Sequence, residues 1–294
     1  MRRAFYVCAG GVLCAVLLLR SDTTLFARGR APTTPPLHHL SSEAATLELA
    51  HAHLERVGSV YGGWHLVPAL LNSAGCTVYS VGIGKDISFD LALLARFPKC
   101  VVHGFDNTPP SNKFLRFHLR RNHTWPTWLT RRYHPHPFLL GTTDGNITLD
   151  LPTGHADSYA AVDSGGAQGF RGRQHVAPAR TITSLMALLN HTRLDVLKID
   201  IEAAEFAVLD GLLQGDEDTR GAASERHRLP TRRLPACMLL IEFHSRLSPL
   251  GYAAKAQALL SLQSLGFTLV HNVVGANGGS ADNAIFVNWR FCAT

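Results

Sequence analysis

None of the 6 cysteines in this 294-residue chain forms a C-x-x-C pair, which sets aside the usual zinc ribbons and fingers. No segment recurs at a fixed period, so repeat architectures are excluded as well. Charge is scarce: charged residues make up 17% of the chain against 46% hydrophobic, a balance that rules out wholesale disorder and supports a real core. The formal net charge is +6 with 16 histidines counted neutral, and it is spread too thinly to name an anionic partner. Its densest points are Arg116, Arg120, Arg121, Arg131 and Arg132, then Arg226, Arg228, Arg232 and Arg233. The second group lacks the interleaved aromatic residues that single-stranded nucleic acid would stack on. These arginines read as solvated surface, and nucleic acid is not an expected partner.

The features that are present begin at the N-terminus. Arg2 and Arg3 precede an uncharged run from Ala4 to Leu19, which Arg20 closes. The run is shorter than the ~20 residues that cross an average bilayer, but it suits the thinner early-secretory membranes. The leading arginines keep the N-terminus cytosolic and place the rest of the chain in the lumen. A cleaved signal peptide is the alternative, although the nearest cleavage-like stretch, Leu25 to Ala27, is a poor one. The expected organisation is a signal anchor over 1–20, a stalk over 21–40 containing Thr33-Thr34-Pro35-Pro36, and one domain over 41–294. That describes a single-pass type II membrane glycoprotein of the endoplasmic reticulum or Golgi, or a secreted protein if the segment is removed. Sequons at Asn122, Asn146 and Asn190 agree with a lumenal address. So does the even number of cysteines outside the apolar run: Cys76, Cys100, Cys237 and Cys292.

From Ser41 to about Val57 the spacing of Leu47, Ala50, His51 and Leu54 predicts a helix. Strand-like and helix-like segments then alternate, the signature of a parallel sheet with crossover helices. Strands are expected at Thr77–Val81, Cys100–Phe105, Phe138–Leu140, Val196–Ile201, Met238–Phe243, Phe267–Val273 and Ala284–Trp289. Helices are expected at Phe89–Arg96, Ile182–Leu189, Ala204–Leu213 and Ala253–Leu265. The last two strands are joined by Gly275-Ala276-Asn277-Gly278-Gly279, a turn composition that makes an antiparallel pair. The outline is an α/β, Rossmann-like methyltransferase fold, a seven-stranded and mostly parallel sheet with a C-terminal antiparallel hairpin. A plain nucleotide-binding fold would end in a parallel strand.

In such a sheet, ligands bind beyond the carboxyl ends of the strands. The loop Ser80-Val81-Gly82-Ile83-Gly84-Lys85-Asp86 follows the first strand, where Gly82 and Gly84 let backbone approach a cofactor. Asp106 ends the second strand, where a carboxylate can accept both ribose hydroxyls. A tight turn with Asp106 as a mere helix cap is the plainer reading of the same residues. A dinucleotide would need a third glycine where Ile87 stands, which disfavours NAD.

The most distinctive stretch is Leu194-Asp195-Val196-Leu197-Lys198-Ile199-Asp200-Ile201-Glu202-Ala203-Ala204-Glu205, preceded by Thr181-Ile182-Thr183-Ser184-Leu185 and followed by Val208-Leu209-Asp210-Gly211. With Tyr61-Gly62-Gly63-Trp64, Ser88-Phe89-Asp90, Gly141-Thr142-Thr143-Asp144-Gly145 and Leu240-Ile241-Glu242-Phe243-His244, it resembles the FkbM-type methyltransferases from about Tyr61 to the C-terminus. The resemblance implies S-adenosylmethionine as cofactor and O-methyl transfer, often onto sugar or polyketide hydroxyls. It places Ser80, Gly82, Gly84, Asp86, Asp106 and Asp144 around the cofactor. Two positions depart from the family pattern: Ser80 replaces an acid, and Ala203 replaces a glycine.

Asp200 and Glu202, two apart at the end of the fourth strand, are expected to leave one face together, where they could take a hydroxyl proton. The same pair could instead only cap the next helix. A divalent cation would suit these carboxylates, but nothing in the sequence demands one and no metal ligand is assigned. His244 is the other candidate base, as a neutral imidazole. If the strand order follows the methyltransferase fold, Cys76 meets Cys100 and Cys237 meets Cys292; four buried free thiols are the alternative. The leading function is lumenal O-methylation of a glycan or small molecule. Its rivals are a type II glycosyltransferase using Asp200 and Glu202 with a metal, and a methyltransferase-derived binding module without turnover.

Overall fold

The computed structural model describes residues 53–71, 74–120, 129, 131–150, 160–161, 174–214, 234–247, 251–275 and 281–292. The expected anchor and stalk, the Asn122 sequon and the glycine-rich turn from residue 276 to 279 lie outside these residues. Among the described residues, no helix is long and apolar enough to cross a membrane.

The chain opens with β1 (Glu55–Val57) and β2 (Trp64–Leu66), an antiparallel pair. Then come β3 (Cys76–Val81), α1 (Ser88–Arg96), β4 (Cys100–Phe105), α2 (Pro109–Arg120) and β5 (Tyr133–His136). Four short strands come next: β6 (Leu139–Leu140), β7 (Gly145–Asp150), β8 (Ala160–Ala161) and β9 (Gln174–Arg180). The rest is α3 (Ile182–Leu188), β10 (Leu194–Ile199), α4 (Glu205–Gln214), β11 (Ala236–Phe243), α5 (Gly251–Ser264), β12 (Thr268–Gly275) and β13 (Ala281–Val287).

Every residue of β10 and β11 is buried, as strands covered on both faces must be. They form the middle of a seven-stranded sheet in the order β12-β13-β11-β10-β3-β4-β5. β11, β10, β3, β4 and β5 are parallel, whereas β13 runs antiparallel to both β11 and β12. The expected sheet and its closing hairpin are therefore present. Ile182, Leu185 and Met186 of α3, Val208 and Leu209 of α4, and Ala258 and Leu262 of α5 join Tyr79, Leu197, Leu239 and Phe286 in one apolar cluster. Thr181 starts α3 by accepting the Ser184 N–H at 3.1 Å, an N-cap that satisfies a donor the helix cannot.

Two expectations are corrected. The helix placed from Ser41 to Val57 ends, in its described part, as strand β1; the Arg56 guanidinium donates to the carbonyls of Ser59, Val60 and Gly63 and winds the chain into a glycine-rich turn instead. The third sheet strand is Tyr133–His136, not Phe138–Leu140. Pro135 hides it in the sequence and is tolerated because β5 is an edge. Leu139–Leu140 pairs instead with β9 in a second sheet, of order β6-β9-β7-β8, that the sequence did not announce. Helix α2 also went unseen, because Pro109 and Pro110 look like breakers although proline suits a first helical turn.

Both proposed disulfides are present. Cys76 and Cys100 are directly paired in the β3–β4 register, and Cys292, beyond β13, reaches Cys237 on β11. With a sequence separation of 55, the second is expected to contribute roughly 4 kcal/mol through loop closure. Urea unfolding of a Cys237→Ala, Cys292→Ala chain should show a loss of that order; an unchanged midpoint would contradict it.

A histidine cluster lies across β4 and β5. His103 Nδ1 meets His136 Nε2 at 3.0 Å, and His191 Nδ1 meets the Tyr79 hydroxyl at 2.8 Å. Burial, reinforced by His136, His191 and His134, pushes His103 down to about 3; burial lowers His136 and His191 too. These folded-state values lie below the unfolded value of ~6.5, so their contribution is complete above that pH and drains away as pH falls toward the folded values. The urea midpoint should therefore drop between pH 7 and pH 5, and His103→Gln should flatten that drop.

Candidate functional site

The site is built where the carboxyl ends of β3, β4 and β10 lie side by side. Gly82, just past β3, has φ +79, and a Cβ there would stand 1.7 Å from the Asp200 carbonyl oxygen. Only glycine lets these two backbones lie so close. Gly82 N–H donates to Phe105 O at 3.0 Å and Asp200 N–H to Val81 O at 3.2 Å, so the three strand ends are laced together. Lys198, buried in β10, completes the lacing. Its ammonium donates to Gly82 O at 2.9 Å, faces Asp200 Oδ2 at 3.7 Å and lies 5.5 Å from the Trp64 ring centre.

Asp106, just past β4, shapes the glycine loop. Its Oδ2 accepts the Gly84 N–H at 2.9 Å and its Oδ1 the Thr108 N–H at 2.7 Å. Burial pushes its carboxyl up, while these backbone donors pull the other way. Asp86 fastens a second loop: it accepts from the Ser88 N–H at 2.6 Å and the Ser59 hydroxyl at 3.1 Å. The segment from Gly58 to Gly63, which carries Tyr61, is thereby anchored at the rim.

These residues enclose a cavity of about 330 Å³, within the range of roughly 300–1,000 Å³ typical of small-ligand sites. Gly82, Gly84, Asp86 and Asp106 border it on one side; Asp200, Glu202 and Glu242 supply a carboxylate wall. Leu139 and Leu140 of β6 and Ile147 and Leu149 of β7 add an apolar wall, which gives the small sheet its place in the site. Partial burial and the carboxylates of Asp200, Glu242, Glu202 and Asp86 hold the Tyr61 phenol above its ordinary range.

Behind the carboxylate wall lies His244, almost wholly buried. Its Nε2 stands 3.8 Å from Asp200 Oδ1, 3.6 Å from Glu202 Oε2 and 3.6 Å from Glu242 Oε1. Its Nδ1 faces Glu205 Oε1 at 3.3 Å, and the same oxygen accepts the His244 backbone N–H at 2.6 Å. Burial disfavours the imidazolium, but Glu205, Glu202 and Asp200 outweigh it and push His244 up to about 10. The surrounding carboxylates thus favour the protonated ring over the neutral imidazole expected from the sequence.

Of the residues singled out from sequence, the structure brings Gly82, Gly84, Asp86, Asp106, Asp200 and Glu202 to the cavity. It does not bring Ser80 or Asp144. Ser80 is buried inside β3. Asp144 is exposed and spends its Oδ1 on the Thr181 N–H at 2.9 Å, joining β6–β7 to the start of α3. Asp200 and Glu202 do share the cavity, though not by strand alternation: β10 ends at Ile199, and Glu202 and Ala203 turn through φ 53 and 75. Reasoning from sequence missed Lys198, Glu205 and Glu242. A charge inside an otherwise apolar strand, as at Lys198 and Glu242, was the signal that could have found two of them.

The Methyltransferase FkbM domain matches residues 50–268. No curated protein matches the sequence. Similar solved structures include methyltransferase FkbM from Methylobacillus flagellatus, at 14% identity, 81% of this chain, 49% of that one and a TM-score of 0.45. Others are the fibrillarin pre-rRNA processing protein of Methanococcus jannaschii (11%, 82% and 74%, 0.38) and Aeropyrum pernix fibrillarin with natively bound S-adenosyl-L-methionine (10%, 74% and 68%, 0.36). The chain spans about half the length of the Methylobacillus protein.

The two glycines of the loop should respond differently to alanine. At Gly82 the new Cβ meets backbone, so the β3 and β10 ends must part; at Gly84 it meets nothing within 4 Å and only the φ of +55 is penalised, by about 1–2 kcal/mol. Thermal melts of Gly82→Ala and Gly84→Ala are expected to show the far larger loss in the first.

Proposed function

Because the chain belongs to the FkbM methyltransferase family, we propose that it transfers a methyl group from S-adenosylmethionine to a hydroxyl on a glycan or small molecule in the secretory lumen. The observation that carries this reading is the joint placement of the Gly82 approach and the Asp106 carboxylate at one end of a 330 Å³ cavity. That cradle fits a nucleoside-bearing cofactor: no Cβ obstructs the turn, and a buried carboxylate stands at the adjoining strand end for the ribose. The loop holds no phosphate-binding glycine at residue 87, where Ile87 is buried, in keeping with a cofactor that carries no pyrophosphate.

When bound, the cofactor supplies an electrophilic sulfonium methyl, and the electron pair of its C–S bond returns to sulfur as the methyl passes to oxygen. The protein's share is to orient the acceptor and take its proton. Asp200 and Glu202 fill the second role, because their side chains are partly exposed at the cavity wall. His244 lies behind them, outside the cavity lining, and their charge favours its protonated form, so it steadies the carboxylates rather than accepting from the substrate. Tyr61, exposed at the rim, offers an aromatic face on which a sugar ring stacks.

A lumenal address is supported by two disulfides within the domain and by exposed asparagines at the Asn146 and Asn190 sequons. The signal anchor proposed over 1–20 would hold the enzyme at the membrane.

Calorimetric titration of S-adenosylmethionine into the full chain should show one saturable site, weakened about tenfold or more in Asp106→Asn, since a hydrogen bond to a charged group contributes ~1.5–3 kcal/mol. Absence of binding in a folded chain would overturn the reading. Binding without a methylated product from any hydroxyl acceptor would favour a module without turnover.

A further inference from the structure

Asp200, Glu242 and His244 each offer a donor atom, and these atoms all lie within 4.8 Å of one another. We propose that they form a divalent-cation site at the base of the cavity, with His244 Nε2 as the nitrogen ligand and one oxygen each from Asp200 and Glu242. The proposal deepens the methyltransferase reading and rests on it for its catalytic meaning, though not for its geometry.

Three observations converge. His244 has a side chain only 5% exposed and aims Nε2 at three carboxylates, yet the nearest oxygens stand at 3.6, 3.6 and 3.8 Å, all beyond hydrogen-bond reach. Neighbouring donors around a tetrahedral or octahedral ion held at ~2.0–2.2 Å lie ~2.8–3.6 Å apart, so the two pairs with His244 would close by a few tenths of an ångström, while the full set, spread over as much as 4.8 Å, must draw in further. Next, Glu205 Oε1 sits 3.3 Å from Nδ1 and accepts the His244 backbone N–H. A carboxylate behind the far nitrogen is the usual support of a metal-bound imidazole, fixing which nitrogen faces the ion. Finally, four carboxylates, those of Asp200, Glu202, Glu205 and Glu242, face a single imidazole. Lys198 divides its charge between the Gly82 and Val81 carbonyls and Asp200 Oδ2, 3.7 Å away. A divalent ion among these carboxylates would offset more of their mutual repulsion than the imidazole alone.

One nitrogen with carboxylate oxygens suits Mn²⁺, Zn²⁺ or Fe²⁺. At the cavity wall the ion would hold an acceptor hydroxyl and lower its pKa. With Asp200 engaged as a ligand, Glu202 is left to receive the hydroxyl proton, and the freed oxygen lone pair makes the new O–C bond.

The test is a Mn²⁺ titration of the full chain, followed by the loss of the free-ion electron paramagnetic resonance signal. One ion per chain is expected, bound at least about tenfold more weakly in Asp200→Asn and in Glu242→Gln, and unchanged in Asp144→Asn. If Glu242→Gln does not fold, the partly exposed Asp200→Asn decides alone. Absence of Mn²⁺ binding, or binding indifferent to both ligand variants, overturns the site. S-adenosylmethionine titrated into the same wild-type samples separates the two readings: cofactor bound without Mn²⁺ removes only the metal, and Mn²⁺ bound without cofactor removes only the methyltransferase.

Discussion

Two parallel strands must be allowed to touch beyond the point where their sheet hydrogen bonds end. Gly82 and the Asp200 carbonyl meet at a distance no other side chain permits, and the buried Lys198 holds them there by donating back to Gly82 O. Once that contact exists, the positions of the glycine loop, Asp106 and the carboxylate wall are set by chain length alone, since each is within a few residues of a strand end. A lysine is expensive to bury. Here it acts as a clamp between backbone carbonyls and the Asp200 carboxylate, with the Trp64 ring as its apolar cover, so the same charge that steadies the fold also sets the electrostatics of the cavity.

The parts of the fold legible from sequence were those governed by burial on both faces. β3, β4, β10, β11 and β13 are largely buried apolar runs between turn signals, and their order carried the disulfide pairing with it; β12, mostly unburied, was read instead from the glycine-rich link to β13. The hidden parts were written in a weaker code. β5 contains Pro135, β6 is two residues long, and β7 and β9 are half-exposed strands whose pairing is long-range. Local periodicity cannot report a partner that lies far along the chain. The same limit explains the site. Gly82, Asp86 and Asp106 belong to one local loop-and-strand pattern, whereas Asp144, placed at the cofactor by resemblance, is drawn away by the Thr181 N–H, a contact no local pattern contains.

Glu202 and Ala203 show how the family pattern bends without breaking. Both adopt left-handed backbone conformations, which cost an ordinary residue about 1–2 kcal/mol and glycine nothing. A glycine at 203 would relieve that cost. With alanine, the turn is retained only because its surroundings insist on it: Ala203 is buried, and Glu205, the first residue of α4, is pinned by the His244 backbone N–H. Strain held in this way is a hallmark of functional turns, and here it swings the Glu202 carboxylate into the cavity that strand alternation would otherwise have had to supply.

The carboxylate corner then sets the terms for chemistry. Charge in a low-dielectric pocket is strong because water does not screen it, so four acidic groups around His244 constrain each other more tightly than any one of them constrains a substrate. A proton on the imidazole relieves part of that repulsion, and a divalent cation would relieve more of it while displacing the proton. The two states differ in what Asp200 can do. Beside an imidazolium it is shared between Lys198 and the cavity wall; as a ligand it is committed to the ion, and Glu202, on the strained turn, is the carboxylate left for proton transfer. The division of labour between two acids two residues apart thus depends on which cation the buried histidine faces.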